Sequence, residues 1–242
     1  MDTAAGFKKY CRIPGEILAI HKRAIWEIPE GLEYEEAAVM DPICNAYKAI
    51  AQRSGLLPGE NVVIFGTGPL GLFSVQIAKI MGALNIVVVG LEEDVKVRFG
   101  VARQLGATEV VNGSAEDVVQ RCQEICGGSD SIGLVVDCAG ANICLKQAIE
   151  MVRCNGEIVR VGMGFKPVGF SINDISMKAV SIIGHMAYDA TSWRNALQLL
   201  AAGRIQVKPM ITHRLGLSRW EEGFEAMANK EAIKVILTYD FD

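Results

Sequence analysis

The chain has 242 residues, half of them apolar and 21% charged, with a net charge of −4. That balance belongs to a folded globular chain, long enough for one large domain or a domain plus part of another. It lacks the basic stripe that nucleic acid or an anionic membrane surface would need, and no apolar run approaches the ~18 residues of a membrane span, so the expected partner is a small molecule, with no nucleic acid and no membrane. The first ten residues hold no apolar signal-peptide core, which makes the cytoplasm the expected location. Seven cysteines are scattered with no C-x-x-C pair, and this argues for free thiols over a disulfide framework.

The first 30 residues contain short strand-like pieces around Tyr10, Leu18 and Trp26, too little apolar material for a core of their own. Residues 61–65, Asn-Val-Val-Ile-Phe, read as a strand, and Gly66-Thr-Gly-Pro-Leu-Gly71 follows at once. Leu72, Val75, Ile77 and Ile80 then recur near helical spacing, which predicts a helix over 72–81, and 86–89 is a second fully apolar run. Strands buried on both faces read this way, so the sheet should be parallel with helices on both sides. The alternation continues with a helix over 95–105 stopped by Gly106 and a strand over 109–111. A helix over 115–125 runs into Gly127 and Gly128, followed by a strand over 132–137 and a helix over 142–151. Strands are expected at 156–161 and 180–183. Repeated strand–helix units predict an α/β fold, a doubly wound parallel six-stranded sheet of the Rossmann type. Past 191 come a helix over 196–202, a link at Lys208 and Pro209, a helix over 219–228 and a strand over 234–238. The expected division is a remnant of a second domain over 1–45, a dinucleotide-binding domain over 46–190, and a return segment over 191–242.

Gly66, Gly68 and Gly71 spell G-x-G-x-x-G between a predicted strand and a predicted helix, and that context gives the pattern its meaning. The first glycine permits the tight turn, the second lets the backbone approach a pyrophosphate, and the third lets the helix pack close to the strand. Pro69 suits the first helical turn, and the helix N-terminus offers free N–H groups and partial positive charge to a phosphate. NAD recognition ordinarily places an acid at the end of the second strand to hold ribose hydroxyls. Here that strand ends in Gly90, and the acids come later, at Glu92, Glu93 and Asp94. Lys96 and Arg98 follow and could serve a ribose phosphate, but three carboxylates stand before them. NAD is therefore favoured, with NADP an open alternative and a merely solvated acidic turn a third.

Gly66-Thr-Gly-Pro-Leu-Gly71 resembles the fingerprint of zinc-dependent medium-chain dehydrogenases. Ile28-Pro-Glu-Gly-Leu32, Glu35-Glu-Ala-Ala38 and Asp41-Pro42 resemble their approach to the nucleotide fold, while Lys208 to Arg214, Glu222-Gly-Phe224 and Lys234 to Leu237 resemble their C-terminal end. The stretch Asp41-Pro-Ile-Cys-Asn-Ala46 and the C-terminal end are most similar to threonine and sorbitol or polyol dehydrogenases. The resemblance implies that Gly66, Thr67, Gly68, Pro69 and Leu70 take the pyrophosphate, with Gly71 packing the helix beside them, and that Arg98 lies near the adenosine; the residues themselves offer Glu92 and Glu93 for the ribose. It implies that Cys138, Ala139 and Gly140 with Val161, Gly162 and Met163 lie beside the nicotinamide. Asp41 matches an acid at or near the catalytic zinc, and the ends of the chain would be remnants of a GroES-like β domain. It also implies a homodimer through the sheet edge from Val180 to Gly184.

Oxidising an alcohol in this family needs zinc to make the hydroxyl proton acidic, and a catalytic zinc takes about three ligands from Cys, His, Asp or Glu. Family members run longer at the N-terminus, where those ligands lie. Only His21, His185 and His213 occur here, none beside a Cys pair, so no complete zinc site is expected. Where sorbitol dehydrogenases carry an Arg after the sixth strand, this chain reads Gly184-His-Met-Ala-Tyr188. His185 could border the nicotinamide pocket or be a satisfied polar residue, His213 should pair within the C-terminal region, and Cys44 could face the site or be a buried thiol. Asp41 could cap a helix or serve the site. The sequence thus predicts the coenzyme-binding portion of an alcohol, polyol or threonine-type dehydrogenase, binding coenzyme and, as a whole enzyme, an alcohol, with this chain alone not turning over. A zinc-free reductase of enones or quinones, and a non-catalytic dinucleotide-binding domain, are the alternatives.

Overall fold

The structure is a computed structural model describing Phe7 and residues 10–21 and 24–241. Most of the first ten residues, on which the absence of a leader was read, lie outside the described ones. The chain gathers into two units, residues 1–39 with 207–242, and residues 40–206.

In chain order, α1 (Gly15–Ile20) and α2 (Tyr34–Ala37) belong to the smaller unit. The larger unit begins with α3 (Met40–Tyr47), prolonged by a wide π-type turn over Lys48–Gln52. Then follow β1 (Asn61–Phe65), α4 (Pro69–Ile80), β2 (Ile86–Gly90), α5 (Arg98–Leu105), β3 (Glu109–Asn112) and α6 (Val118–Cys126). Next come β4 (Ile132–Asp137), α7 (Asn142–Met151), β5 (Glu157–Arg160), α8 (Ile172–Ser176), β6 (Ser181–Gly184) and α9 (Ala190–Ala201). The smaller unit resumes with β7 (Ile211–Gly216), α10 (Trp220–Ala228) and β8 (Lys234–Thr238).

The six strands of the larger unit form one parallel sheet in the order β3-β2-β1-β4-β5-β6. This is the doubly wound order, whose direction reverses between β1 and β4. Phe65 pairs with Val89 on one side and Asp137 on the other, and Asp137 pairs with Arg160. Four strands therefore end level, and the loops that leave them share one edge. β1, β2 and β4 are buried along their whole length. Each Val, Ile or Phe so buried contributes about 1.5–3 kcal/mol relative to exposure, which is why these apolar runs become the centre of the sheet. Phe65, Val63, Val87 and Val135 share a core with Leu145, Ile149 and Met151 of α7.

Local capping sets the helix starts. α4 begins at Pro69, three residues before the periodicity suggested, because Gly68 sits extended as N-cap and Pro69 takes the first helical position. α5 begins at Arg98 because Glu92–Asp94 wind as a separate 3₁₀ turn. α6 waits for Asp117, whose carboxylate accepts the Gln120 N–H at 3.0 Å. α9 starts at Ala190, well before 196, because Asp189 and Ser192 form a capping box.

In the smaller unit the strand-like reading of the first 30 residues is corrected. Leu18 lies in α1, and Tyr10 and Trp26 carry no strand. A strand must find a partner for its backbone groups, whereas α1 closes them locally, as in the His21 N–H to Ile17 carbonyl bond at 2.8 Å. β7 and β8 pair in parallel as a two-stranded sheet, and α10 lies between them in the chain. Arg214 and Lys208 form ion pairs with Glu35 and Glu33, both at 2.6 Å. No helix among the described residues is long and apolar enough to cross a membrane.

Candidate coenzyme-binding crevice

The G-x-G-x-x-G segment leaves β1 and enters α4 at the point where the strand order reverses. Gly66 adopts φ 103°, in the left-handed region that glycine tolerates, and its N–H is held by the Val89 carbonyl at 2.9 Å. A Cβ on Gly71 would land on the Gly66 carbonyl oxygen, so α4 rests directly on the turn. A Cβ on Gly68 would meet nothing within 4 Å, and no side chain caps the helix there. The α4 N-terminus, with partial positive charge on its first free N–H groups, thus begins beside the open space at Gly68. Thr67 is buried, while Pro69 and Leu70 are half-buried.

Beyond β2 the three acids separate in role. Asp94 is 5% exposed, and its carboxylate accepts the Leu91 N–H at 2.9 Å and faces Arg98 at 3.4 Å. Arg98 is itself 6% exposed, on the first turn of α5. Glu92 and Glu93 are exposed, and the Glu92 carboxylate accepts the Asn112 amide at 2.6 Å while the Ser114 hydroxyl accepts the Glu92 N–H. Gly90 has no room for a larger residue: a Cβ would lie 2.5 Å from Phe99, 2.8 Å from Thr67 and 2.9 Å from Asp94.

On the other side of the reversal, the loops after β4 and β5 are bound together. The Asp137 carboxylate, with no exposure, accepts the N–H groups of Ala139 at 3.1 Å and Gly140 at 2.8 Å. Its second oxygen meets the Arg160 guanidinium at 2.6 Å, and Arg160 also donates to the Gly140 carbonyl at 2.7 Å. The Asp137 carbonyl accepts the N–H groups of Val161 and Gly162 at 2.9 and 2.7 Å. Burial pushes the Asp137 carboxyl up, and the Gly140 N–H, Arg160 and the Ala139 N–H oppose it. Cys138 packs its thiol 3.6 Å from the Ser74 hydroxyl, and burial pushes it up to about 12, which makes it an inert thiol. Met163 is 73% exposed beyond these loops. Arg160, Asp137 and Asn112 were not singled out from sequence, and the pairing of the first two depends on the β4 to β5 register.

Asp41 is exposed in the first turn of α3. Asn45, one turn on, reaches its carbonyl at 3.0 Å and its carboxylate at 3.4 Å, and the Tyr188 hydroxyl also bonds to it. Asn45 then meets His185 Nε2 at 3.1 Å, and His185 Nδ1 is buried with no hydrogen-bond partner among the described residues. Burial, with Lys48 and Arg53 nearby, lowers the His185 pKa. Cys44 is buried, its thiol pushed up to about 12 by burial and Asp41. His213 lies on β7 against the Thr212 hydroxyl at 3.0 Å. Among the described residues no three His, Cys, Asp or Glu side chains converge to hold a metal ion, so the residues present do not fit a zinc ion.

A doubly wound sheet with a glycine turn at its reversal defines a dinucleotide-fold protein. The family description "Zinc-binding dehydrogenase" matches residues 69–202, more than half of the chain, and the chain belongs to that family. It is 73% identical over 237 residues to the uncharacterized zinc-type alcohol dehydrogenase-like protein YdjL of Escherichia coli (strain K12), covering 98% of this chain and 66% of that one. It is 30% identical to a sorbitol dehydrogenase of Halalkalibacterium halodurans, covering 90% and 62%, and 30% identical to an L-threonine 3-dehydrogenase of Bacillus licheniformis, covering 98% and 65%. Among solved structures it superposes on 2R,3R-butanediol dehydrogenase from Bacillus subtilis with a TM-score of 0.80 at 28% identity, over 89% of this chain and 60% of that one. The chain spans less than two thirds of the length of each of these relatives.

Proposed function

We propose that this chain binds NAD(H) in the crevice at the C-terminal ends of its parallel sheet, as the coenzyme-binding portion of an alcohol, polyol or threonine-type dehydrogenase. The observation that carries the reading is the glycine turn at the strand-order reversal, with Gly71 packed on Gly66 and open space over Gly68. Gly66, Thr67, Gly68, Pro69, Leu70 and Gly71 would receive the pyrophosphate on backbone N–H groups. Glu92 and Glu93, exposed beyond β2, would face the adenosine ribose, and Asn112 holds Glu92 in place. Arg98 faces Asp94 in the interior, so a ribose phosphate would meet carboxylates there, which favours NAD over NADP. Cys138, Ala139, Gly140, Val161, Gly162 and Met163 would line the nicotinamide half. The bound coenzyme supplies a hydride acceptor. This chain's residues bind it, orient it and cover one of its faces.

Because the residues present do not fit a zinc ion, this chain is proposed to bind coenzyme without turning over an alcohol. A whole enzyme of this family would take a secondary alcohol. β6 is the outer strand of the sheet, its far edge pairs with no other strand among the described residues, Ile182 on it is 37% exposed, and Met177 and Met186 are exposed close by in sequence. Edges of this kind are rarely left open, which supports a homodimer through Val180 to Gly184.

The test is titration of the chain with NADH and with NADPH, followed by coenzyme fluorescence. Saturable NADH binding at least tenfold tighter than NADPH is expected. Failure to bind either at millimolar concentration would overturn the proposal, and preference for NADPH would overturn the roles given to Glu92 and Glu93.

A further inference from the structure

Asp137, fully buried, and Arg160, 17% exposed, form an ion pair that joins two loops of the crevice. The pair is a product of register. Asp137 is the last residue of β4, Arg160 the last of β5, and the two are paired across the parallel ladder. From that position Arg160 spans the gap with one guanidinium, donating to the Asp137 carboxylate at 2.6 Å and the Gly140 carbonyl at 2.7 Å. The remaining Asp137 oxygen holds the Ala139 and Gly140 N–H groups, and the Asp137 carbonyl holds those of Val161 and Gly162. The two loops also run backbone against backbone: a Cβ on Gly162 would strike the Gly140 nitrogen, and one on Gly140 would lie 2.5 Å from the Met163 carbonyl oxygen. A planar, two-pronged donor suits such a bridge, and lysine cannot reproduce it.

A dinucleotide in a doubly wound sheet lies across the reversal, with the adenosine half on the β2 side and the other half over the strands beyond β1. The Asp137–Arg160 pair thus stands under the nicotinamide half, and unlike the Asp94–Arg98 pair beyond β2, which lies within one turn and the helix after it, it ties two separate loops together. We propose that Arg160 is a positioning residue: through Asp137 and the Gly140 carbonyl it holds the β4 and β5 loops as one wall, which fixes the nicotinamide half of the coenzyme without touching the reacting atoms. This rests on the coenzyme-binding reading above.

The test compares a probe that needs the wall with one that does not. NADH fills both halves of the crevice, whereas ADP reaches only the adenosine and pyrophosphate parts. The full chain, Arg160→Met, Arg160→Lys and Asp137→Asn are titrated with each by calorimetry, with melting followed in parallel. Arg160→Met should weaken NADH binding at least tenfold and leave ADP binding within twofold. Arg160→Lys, which keeps the charge and loses the bridge, should fall between Arg160→Met and the parent. Retained ADP affinity shows that the crevice is folded, a readout that a general loss of structure would not leave intact. Should Arg160→Met fail to fold, Arg160→Lys and Asp137→Asn carry the same split at smaller amplitude. Equal loss of NADH and ADP, or no loss of NADH, would overturn the positioning role while leaving coenzyme binding standing. Binding of neither ligand by the parent chain would overturn coenzyme binding itself and this role with it.

Discussion

Gly68 and Gly71 stand three residues apart, and replacing each with alanine should separate ligand binding from folding. At Gly68 the backbone is extended, with φ −74° and ψ 179°, which any residue adopts, and an added Cβ meets nothing within 4 Å. Restricting the unfolded chain there gains about 0.4–1 kcal/mol, and alanine is a poorer N-cap by a similar amount. The two offset, so the melting temperature of Gly68→Ala should stay within about 2 °C of the parent. At Gly71 the added Cβ falls on the Gly66 carbonyl oxygen, a backbone atom that no rotamer change can move. Because the Cβ meets a backbone atom, the cost lies in the upper part of the overpacking range, about 2–3 kcal/mol, against about 1 kcal/mol gained in helix propensity, for a net loss of about 1–2 kcal/mol. For a chain of this size that lowers melting by about 2–8 °C. The assay is thermal melting by circular dichroism beside NADH titration. Gly68→Ala should melt as the parent does and bind NADH at least tenfold more weakly, a loss of about 1.4 kcal/mol. Gly68→Ala binding NADH as tightly as the parent would refute the reasoning, because the space over Gly68 would then not be where the pyrophosphate lies.

Gly90→Ala should lower the unfolding free energy by about 1–3 kcal/mol, read as a fall in the urea midpoint, since its Cβ would crowd Phe99, Thr67 and Asp94 together; an unchanged midpoint would contradict that crowding. Glu92→Lys places an ammonium beside Asn112 where the ribose is proposed to lie, so the ratio of NADPH to NADH affinity should rise at least tenfold, and a constant ratio would remove Glu92 from ribose recognition. His185 is held below its ordinary pKa of 6.5 by burial, Lys48 and Arg53, so the unfolded chain takes up its proton more readily than the folded one. Its contribution is whole above pH 6.5 and is lost as the pH falls beneath that value. His185→Gln should therefore lose less stability than the parent between about pH 7.5 and about pH 5.5, and equal losses would count against the assigned shift.

The centre of the sheet was legible because its strands carry their own signature. Residues 61–65 and 132–137 are apolar runs bounded by turn residues, and both strands occupy those positions. Helix ends were less legible where a neighbour decides them. The Leu91 N–H finds Asp94, which turns the chain before α5 and delays its start from 95 to 98. β7 went unread because Thr212, His213 and Arg214 give no apolar alternation, and its existence depends on β8, some twenty residues further on. The first 30 residues misled in the opposite sense, since isolated apolar residues suggest strands only if a partner strand exists. In the crevice the glycines were read directly, because their role follows from lacking a side chain. The Asp137–Arg160 bridge was not, because it requires the β4 to β5 register, and the inward turn of Asp94 and Arg98 was not, because a run of charges reads as solvated.

The central claim is that a dinucleotide lies across the glycine turn and the β4 and β5 loops, and adding NADH to the ¹⁵N-labelled chain while following its amide resonances tests it most directly. The account predicts saturable shifts at Thr67, Leu70, Gly71, Gly140 and Gly162. Shifts absent at saturating NADH, or confined to the outer faces of α7 and α8, would contradict it.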